Sequence, residues 1–182
     1  MRTLLLGIGF AIGATPALAA GFSVTAADFA NRATMPLAHV CVRYKGANQS
    51  PALSWSGEPA GTKSFAVTMY DPDAPTGSGF WHWTVFNIPA DVHELAAGAG
   101  DAGSKALPAG AGEGRNDGGA AHYTGSCPPM GDPPHHYQIT VFAVNVAKLP
   151  LTADASGAMV GFQLHFNTLA KAQIVATFAA PK

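Results

Sequence analysis

Phe65–Tyr70 is a short run of apolar, aromatic and β-branched residues that ends directly on Asp71-Pro72-Asp73-Ala74-Pro75. No glycine or proline interrupts the run, and its composition is that of a buried strand. The proline-rich pentapeptide cannot continue a ladder, so the chain must turn there. Two carboxylates are thereby set where a strand leaves its sheet, a position that often carries binding residues.

The same logic finds the other elements. Trp81–Ile88 alternates with period two, which puts His82, Thr84 and Phe86 on one face and Trp81, Trp83 and Val85 on the other. Pro89 closes it. Tyr137–Val146 alternates in the same way, with Tyr137, Ile139, Val141 and Ala143 sharing a face. Leu53–Gly57 and Ile174–Phe178 read as shorter strands, and Asn31–Cys41 is expected to include another. Thr152–Ala170 breaks the alternation. Met159, Phe162, Phe166 and Leu169 follow a helical stripe there, with Thr152 or Asp154 as the cap. Gly157 and Gly161 each weaken that helix by about 1 kcal/mol. Residues 96–119, rich in Ala, Gly, Asp and Pro, read as a flexible surface loop. The expected fold is β-rich, mainly antiparallel with a few peripheral helices.

Met1–Ala20 stands apart from this pattern. Arg2, the apolar stretch Leu4–Ile12 and the small residues Ala17 and Ala19 form the three regions of a secretory signal peptide. The expectation is a signal peptide over 1–20 and a single domain over 21–182, exported to the periplasm or secreted. No later stretch approaches the roughly 20 apolar residues of a membrane-spanning helix. Loss of Arg2 leaves 9 basic against 11 acidic residues. With no basic patch evident, nucleic acid and anionic membrane surfaces are poor candidates. Two cysteines, Cys41 and Cys127, in an exported chain point to one disulfide, with two small buried thiols as the alternative. Neither sits in a Cys-x-x-Cys zinc pattern.

Charged residues make up only 12% of the chain, so the polar groups between Tyr70 and Tyr137 stand out. His82 follows Asp71 by eleven residues, enough for a loop and a return to the adjacent strand. The two then meet at one sheet end. His135 and Tyr137 share a face, and His136 alternates to the other side. Asp73 has two readings, a ligand-facing carboxylate or an acceptor for turn amides. Gly125, Pro128, Pro129 and Gly131 fix a rigid loop whose backbone can approach a ligand. His39, His93, His122 and His165 lack a partner pattern and read as surface or structural.

These blocks resemble the phosphatidylethanolamine-binding proteins, in particular their bacterial Raf-kinase-inhibitor-like branch. The resemblance rests on Asp-Pro-Asp-Ala-Pro at 71–75, His-Trp-x-Val-x-Asn-Ile-Pro at 82–89, Gly-Ser-Cys-Pro-Pro-x-Gly at 125–131 and His135-x-Tyr137. Gly46-x-Asn48-x-Ser50-Pro51 and Asn116-Asp117-x-Gly119 match weaker motifs. The resemblance covers nearly the whole chain after residue 40. It implies a large antiparallel sheet, a second smaller sheet and peripheral helices. It also implies an anion pocket lined by Asp71, Asp73, Pro75, His82, Cys127, Pro128, His135 and Tyr137, and a cis peptide at Ala74–Pro75. The chain departs from the family pattern at Trp81, at Phe162 and at His136, where Arg is common.

Three functions compete at this stage. A binding protein holds a phosphate-bearing or zwitterionic small ligand, such as a phosphoethanolamine-type head group, and modulates a protein partner. A weak phosphoester hydrolase uses the carboxylates and histidines as acid and base. A metal protein uses Asp71, Asp73, His82 and His135 as ligands. Inhibition of a partner enzyme such as a protease is the regulatory variant of the first. No Gly-x-Ser-x-Gly elbow and no His-Glu-x-x-His helix occurs in the chain. The favoured reading is therefore a binding protein that is not an enzyme and needs no cofactor.

Overall fold

The computed structural model describes residues 21–181; the expected signal peptide lies outside them. Two antiparallel sheets carry the fold. The small sheet joins β1 (Ser23–Ala26), β2 (Leu53–Ser56) and β5 (Glu94–Leu95) in the order β1-β2-β5. The large sheet joins β3 (Ser64–Asp71), β4 (Phe80–Pro89), β6 (Gly112–Glu113), β7 (His135–Val144) and β8 (Thr168–Phe178). Its order is β6-β4-β3-β7-β8, so the motif-bearing strands β4, β3 and β7 lie side by side at its centre. One helix, α1 (Gly157–Asn167), precedes β8.

The main core lies between the sheets. Leu53, Trp55 and Val24 of the small sheet meet Phe65, Val67, Met69, Trp83, Val85, Ile139 and Val141 of the large one. A smaller apolar cluster on the other face packs Val160 and Leu164 of α1 against Ala66, Phe86 and Val144. The large sheet is thus covered on both faces, which explains the near-continuous burial of β3.

Several local expectations are corrected. Residues 31–41 form no strand: a 3-10 turn spans Leu37–His39, and only single bridges tie Thr34 to Thr177 and Val40 to Ser126. Pro36 has no N–H to extend a ladder. Within residues 96–119, β6 adds an edge to β4, and Asn116 is buried. Specific polar bonds, which periodicity does not report, fix this stretch. The helix cap is Ser156, whose Oγ accepts from Met159 N at 3.3 Å, not Thr152 or Asp154. β8 starts earlier than residue 174, directly after the helix.

The faces of β4 also differ from strict alternation. A register shift opposite Met69 and Tyr70 inserts an extra residue at His82. Such a bulge turns two successive side chains to one side. Trp83 enters the main core and His82 stacks edge-on to Tyr137, while Trp81 faces the helix, against Gly157 and Gly161.

Candidate functional site

Asp71, the last residue of β3, is buried, and its two carboxylate oxygens have separate tasks. Oδ1 accepts the backbone N–H of Asp73 at 2.9 Å, which closes the turn after the strand. Oδ2 lies 2.7 Å from Nδ1 of His135 and 4.0 Å from Nε2 of His82. Because β3 is flanked by β4 and β7, both histidines reach the same sheet end from opposite sides of Asp71. Asp71, His82 and His135 all have relative exposures below 5%.

Their surroundings push the two imidazoles in opposite directions. His82 donates from Nδ1 to the carbonyl of Thr124 at 2.9 Å, so Nε2 of the neutral ring keeps its lone pair on the Asp71 side. Burial holds its pKa below the ordinary histidine value, against the pull of the Thr124 carbonyl and Asp71. For His135 burial acts the same way, but the hydrogen bond and charge of Asp71, with Asp132 3.3 Å from Nε2, overcome it and raise the pKa. The site thus combines a cation-prone His135, a neutral-prone His82 and the Asp71 carboxylate between them.

The opposite wall is the 125–131 loop, fixed from several directions. Gly125 N donates to Asn48 Oδ1 at 2.8 Å, Cys41 N donates to Ser126 O at 3.1 Å, and Tyr44 Oη donates to Pro128 O at 2.6 Å. A Cβ at residue 125 would lie 2.7 Å from the carbonyl of His39, so only glycine allows this approach. Cys41 and Cys127 form a disulfide with an S–S distance of 2.05 Å. The weaker motif at 116–119 supports the other side. Asn116 donates to His122 O, and Asp117 accepts from Trp81 N at 2.9 Å, which sets the start of β4 beside Thr124.

Between these walls lies a cavity of about 270 Å³. Of the residues expected to line it, Asp71, Pro75, His82, Cys127, Pro128 and His135 do so. Asp73 and Tyr137 do not. Asp73 turns outward and accepts from the backbone and Nδ1 of His136 at 2.7 and 2.8 Å. Burial acts against the Asp73 carboxylate, but these bonds hold its pKa below the usual range. Tyr137 is fully buried behind His82, with ring centroids 5.2 Å apart, and burial pushes its phenol well above the ordinary value. Ala74–Pro75 is trans, like every peptide bond among the described residues, against the implied cis bond. The turn closes instead through Thr76 N to Ala74 O at 2.8 Å.

Pro129, expected in the rigid loop, also lines the cavity, as do Ala74, Thr76, Phe80 and Thr124, which were not singled out from sequence. Thr124 acts through its carbonyl, which leaves no side-chain signature. Phe80 packs 4.8 Å from the His82 ring. No Lys or Arg among the described residues lines the cavity. Among the described residues, no three His, Cys, Asp or Glu side chains converge as a metal-binding group.

A family model described as phosphatidylethanolamine-binding protein matches residues 25–179. The chain is 48% identical over 180 residues to the UPF0098 protein YbcL of Escherichia coli K12, covering 98% of each. It is 52% identical over 136 residues to the UPF0098 protein YbhB of the same organism, covering 75% of this chain and 85% of that one. The crystal structure of E. coli YbcL, described as a new member of the mammalian PEBP family, superposes with a TM-score of 0.86 at 49% identity. The superposition covers 89% of this chain and 100% of that one.

Proposed function

Since this chain belongs to the phosphatidylethanolamine-binding protein family, we propose that its Asp71–His82–His135 cavity binds the phosphate-bearing head of a small molecule without turning it over. The observation that carries this reading is the single Asp71 oxygen that faces two buried imidazoles at the floor of a small cavity. His135, raised in pKa, supplies a cation for a phosphate oxygen. The neutral His82 offers a lone pair at Nε2 to a ligand N–H or O–H. Asp71 and Asp132 oppose a bare anion, so a zwitterion such as phosphoethanolamine suits the site better than inorganic phosphate. Its ammonium answers the carboxylates and its phosphate the imidazolium.

The absence of turnover has its own support. Cys127, the thiol nearest the cavity, is held in the disulfide and cannot act as a nucleophile. Export to an oxidising compartment is the matching reading of residues 1–20, and the disulfide supports it. Intact mass of exported protein is expected to fit a chain beginning near Ala20 or Gly21. A mature chain that retains Met1 would refute export. Modulation of a protein partner follows only if binding at the cavity alters an exposed surface.

Titration calorimetry with phosphoethanolamine at pH 5.5 and 8, on wild type and His82→Ala, tests the binding reading. Wild type is expected to bind tighter at pH 5.5, below the ordinary histidine value, where the raised pKa of His135 keeps its ring charged for the phosphate. His82→Ala is expected to lose about 1.5–3 kcal/mol at pH 5.5 through a missing charge-assisted hydrogen bond. Equal affinity in all four conditions ends the proposal. Release of free phosphate over time moves the protein to the hydrolases.

A further inference from the structure

Met159, Phe162 and Phe166 of α1 face solvent together with Leu169, which the structure places at the start of β8 rather than on the expected helical stripe, with relative exposures of 48%, 57%, 65% and 43%. The opposite side of α1 seats Val160 and Leu164 in the smaller core and brings Gly157 and Gly161 against Trp81. The apolar residues outside therefore do not serve the fold. Phe162 and Phe166 hold each other edge-to-face at 5.1 Å, and His165 packs on Phe166 at 4.8 Å. With an aromatic side chain covering about 150–250 Å², the four together leave roughly 400 Å² of apolar surface in water. Patches of a few hundred Å² mark interaction surfaces.

Two observations select the occupant. The first is area. A stable dimer buries about 800 Å² per partner, roughly twice what the stripe offers. The second is charge. Lys171 lines the groove of about 450 Å³ beside the stripe, together with His165 and Leu169. Lys63 and Lys148 lie at the same sheet end. Lys63 N donates to Val144 O, and Asn145 N, three residues before Lys148, donates to Asn167 O at the end of α1. All three lysines are exposed and form no ion pair among the described residues.

We infer that this face docks on a lipid bilayer surface that carries anionic head groups. The helix lies in the interface plane, with the two Phe rings, Met159 and Leu169 in the boundary between head groups and acyl chains. Lys171, Lys148 and Lys63 sit over the lipid phosphates, in a contact that salt weakens. This reverses the expectation drawn from whole-chain charge, because the three lysines are far apart in sequence and only the fold brings their segments to one end of the sheet. The surface is distinct from the Asp71 cavity: on β4, Trp81 faces the helix and His82 faces the cavity.

Flotation of the exported chain with vesicles tests the inference. One set is phosphatidylcholine alone and the other is equal parts phosphatidylcholine and phosphatidylglycerol. Wild type is expected to float with the anionic vesicles only, and to be released by high salt. Phe162→Ser with Phe166→Ser, both exposed and so compatible with folding, is expected to lose most of the bound fraction. Lys148→Glu with Lys171→Glu is expected to lose it at low salt, and His82→Ala to float like wild type. Absence of flotation overturns the inference, as does loss of flotation in His82→Ala, which would assign the contact to the cavity. A wild-type dimer converted to monomer by the double Ser substitution also overturns it, since the stripe would then pair two copies of the chain.

Discussion

One carboxylate oxygen of Asp71 sits 2.7 Å from Nδ1 of His135, and both side chains are 3% exposed. A buried pair of this kind makes stability depend on pH with a definite sign. The pKa of His135 is raised in the folded state, so the folded chain holds that proton more tightly than the unfolded one. The contribution is complete below the unfolded histidine value near 6.5 and is lost as pH rises through the higher folded value. Asp71→Asn keeps the shape and an acceptor but removes the charge. It is expected to cost about 1.5–3 kcal/mol at pH 6 and distinctly less at pH 9. Urea denaturation of both proteins at the two pH values measures this. A cost that grows with pH would contradict the assignment of the charge to His135.

Glu113 on β6 accepts from Trp83 Nε1 at 2.7 Å, and its carboxyl is pushed up to about 7. Burial is the main cause, helped by the charge of Asp101 and opposed by the Trp83 bond and His122. The folded state binds the extra proton between pH 4.5 and 7, so this group destabilises the protein as pH rises across that window. Partial exposure screens the effect to about 1 kcal/mol. Glu113→Gln retains an acceptor for the indole. It is expected to raise stability by about that amount at pH 8 and to flatten the thermal midpoint against pH between 4.5 and 7. A destabilised variant at pH 8 would show that the carboxylate charge is needed by Trp83.

Helix α1 packs on Trp81 through glycine. A Cβ at residue 157 would fall 2.2 Å from Cγ of Trp81, whereas one at residue 161 would stand 3.9 Å from the indole. Gly157→Ala is expected to cost about 1–3 kcal/mol by forcing the helix off the sheet. Gly161→Ala is expected to be neutral or to gain up to about 1 kcal/mol from helix propensity. Thermal denaturation of the two variants in parallel checks the contrast. Equal effects would mean that the helix shifts freely over β4.

The same helix marks where the sequence stops being legible. Its period is evident in Met159, Phe162 and Phe166, but periodicity alone does not say which stripe is buried. Trp81 decides that, because it leaves room only for glycine at residue 157. The strands were legible because Phe65–Tyr70 is an apolar, β-branched run without a breaker and Tyr137–Val146 alternates. The bulge at His82 was not, since a register shift is a property of two strands together. The meeting of Asp71 and His82 followed from a strand end and a return distance, whereas His135 was placed beside them by the family resemblance. The outward turn of Asp73 follows from its bond to His136, which no spacing rule encodes.

Cys41 and Cys127 are 86 residues apart, and the disulfide between them borders the cavity. A loop of that length implies a stabilisation of about 4–5 kcal/mol from the unfolded chain's lost entropy, and about 2–4 kcal/mol in usual practice. Its effect on the cavity is expected to be smaller. The bonds from Asn48, Cys41 N and Tyr44 hold the 125–131 loop without it. Cys41→Ala with Cys127→Ala is therefore expected to lose about 2–4 kcal/mol in chemical denaturation. Phosphoethanolamine affinity at pH 5.5 is expected to stay within a few-fold of wild type, measured where the variant is still folded. If affinity collapses in the folded variant, the disulfide shapes the ligand site directly, and the hydrogen bonds from the 41–48 segment are not enough to hold the loop.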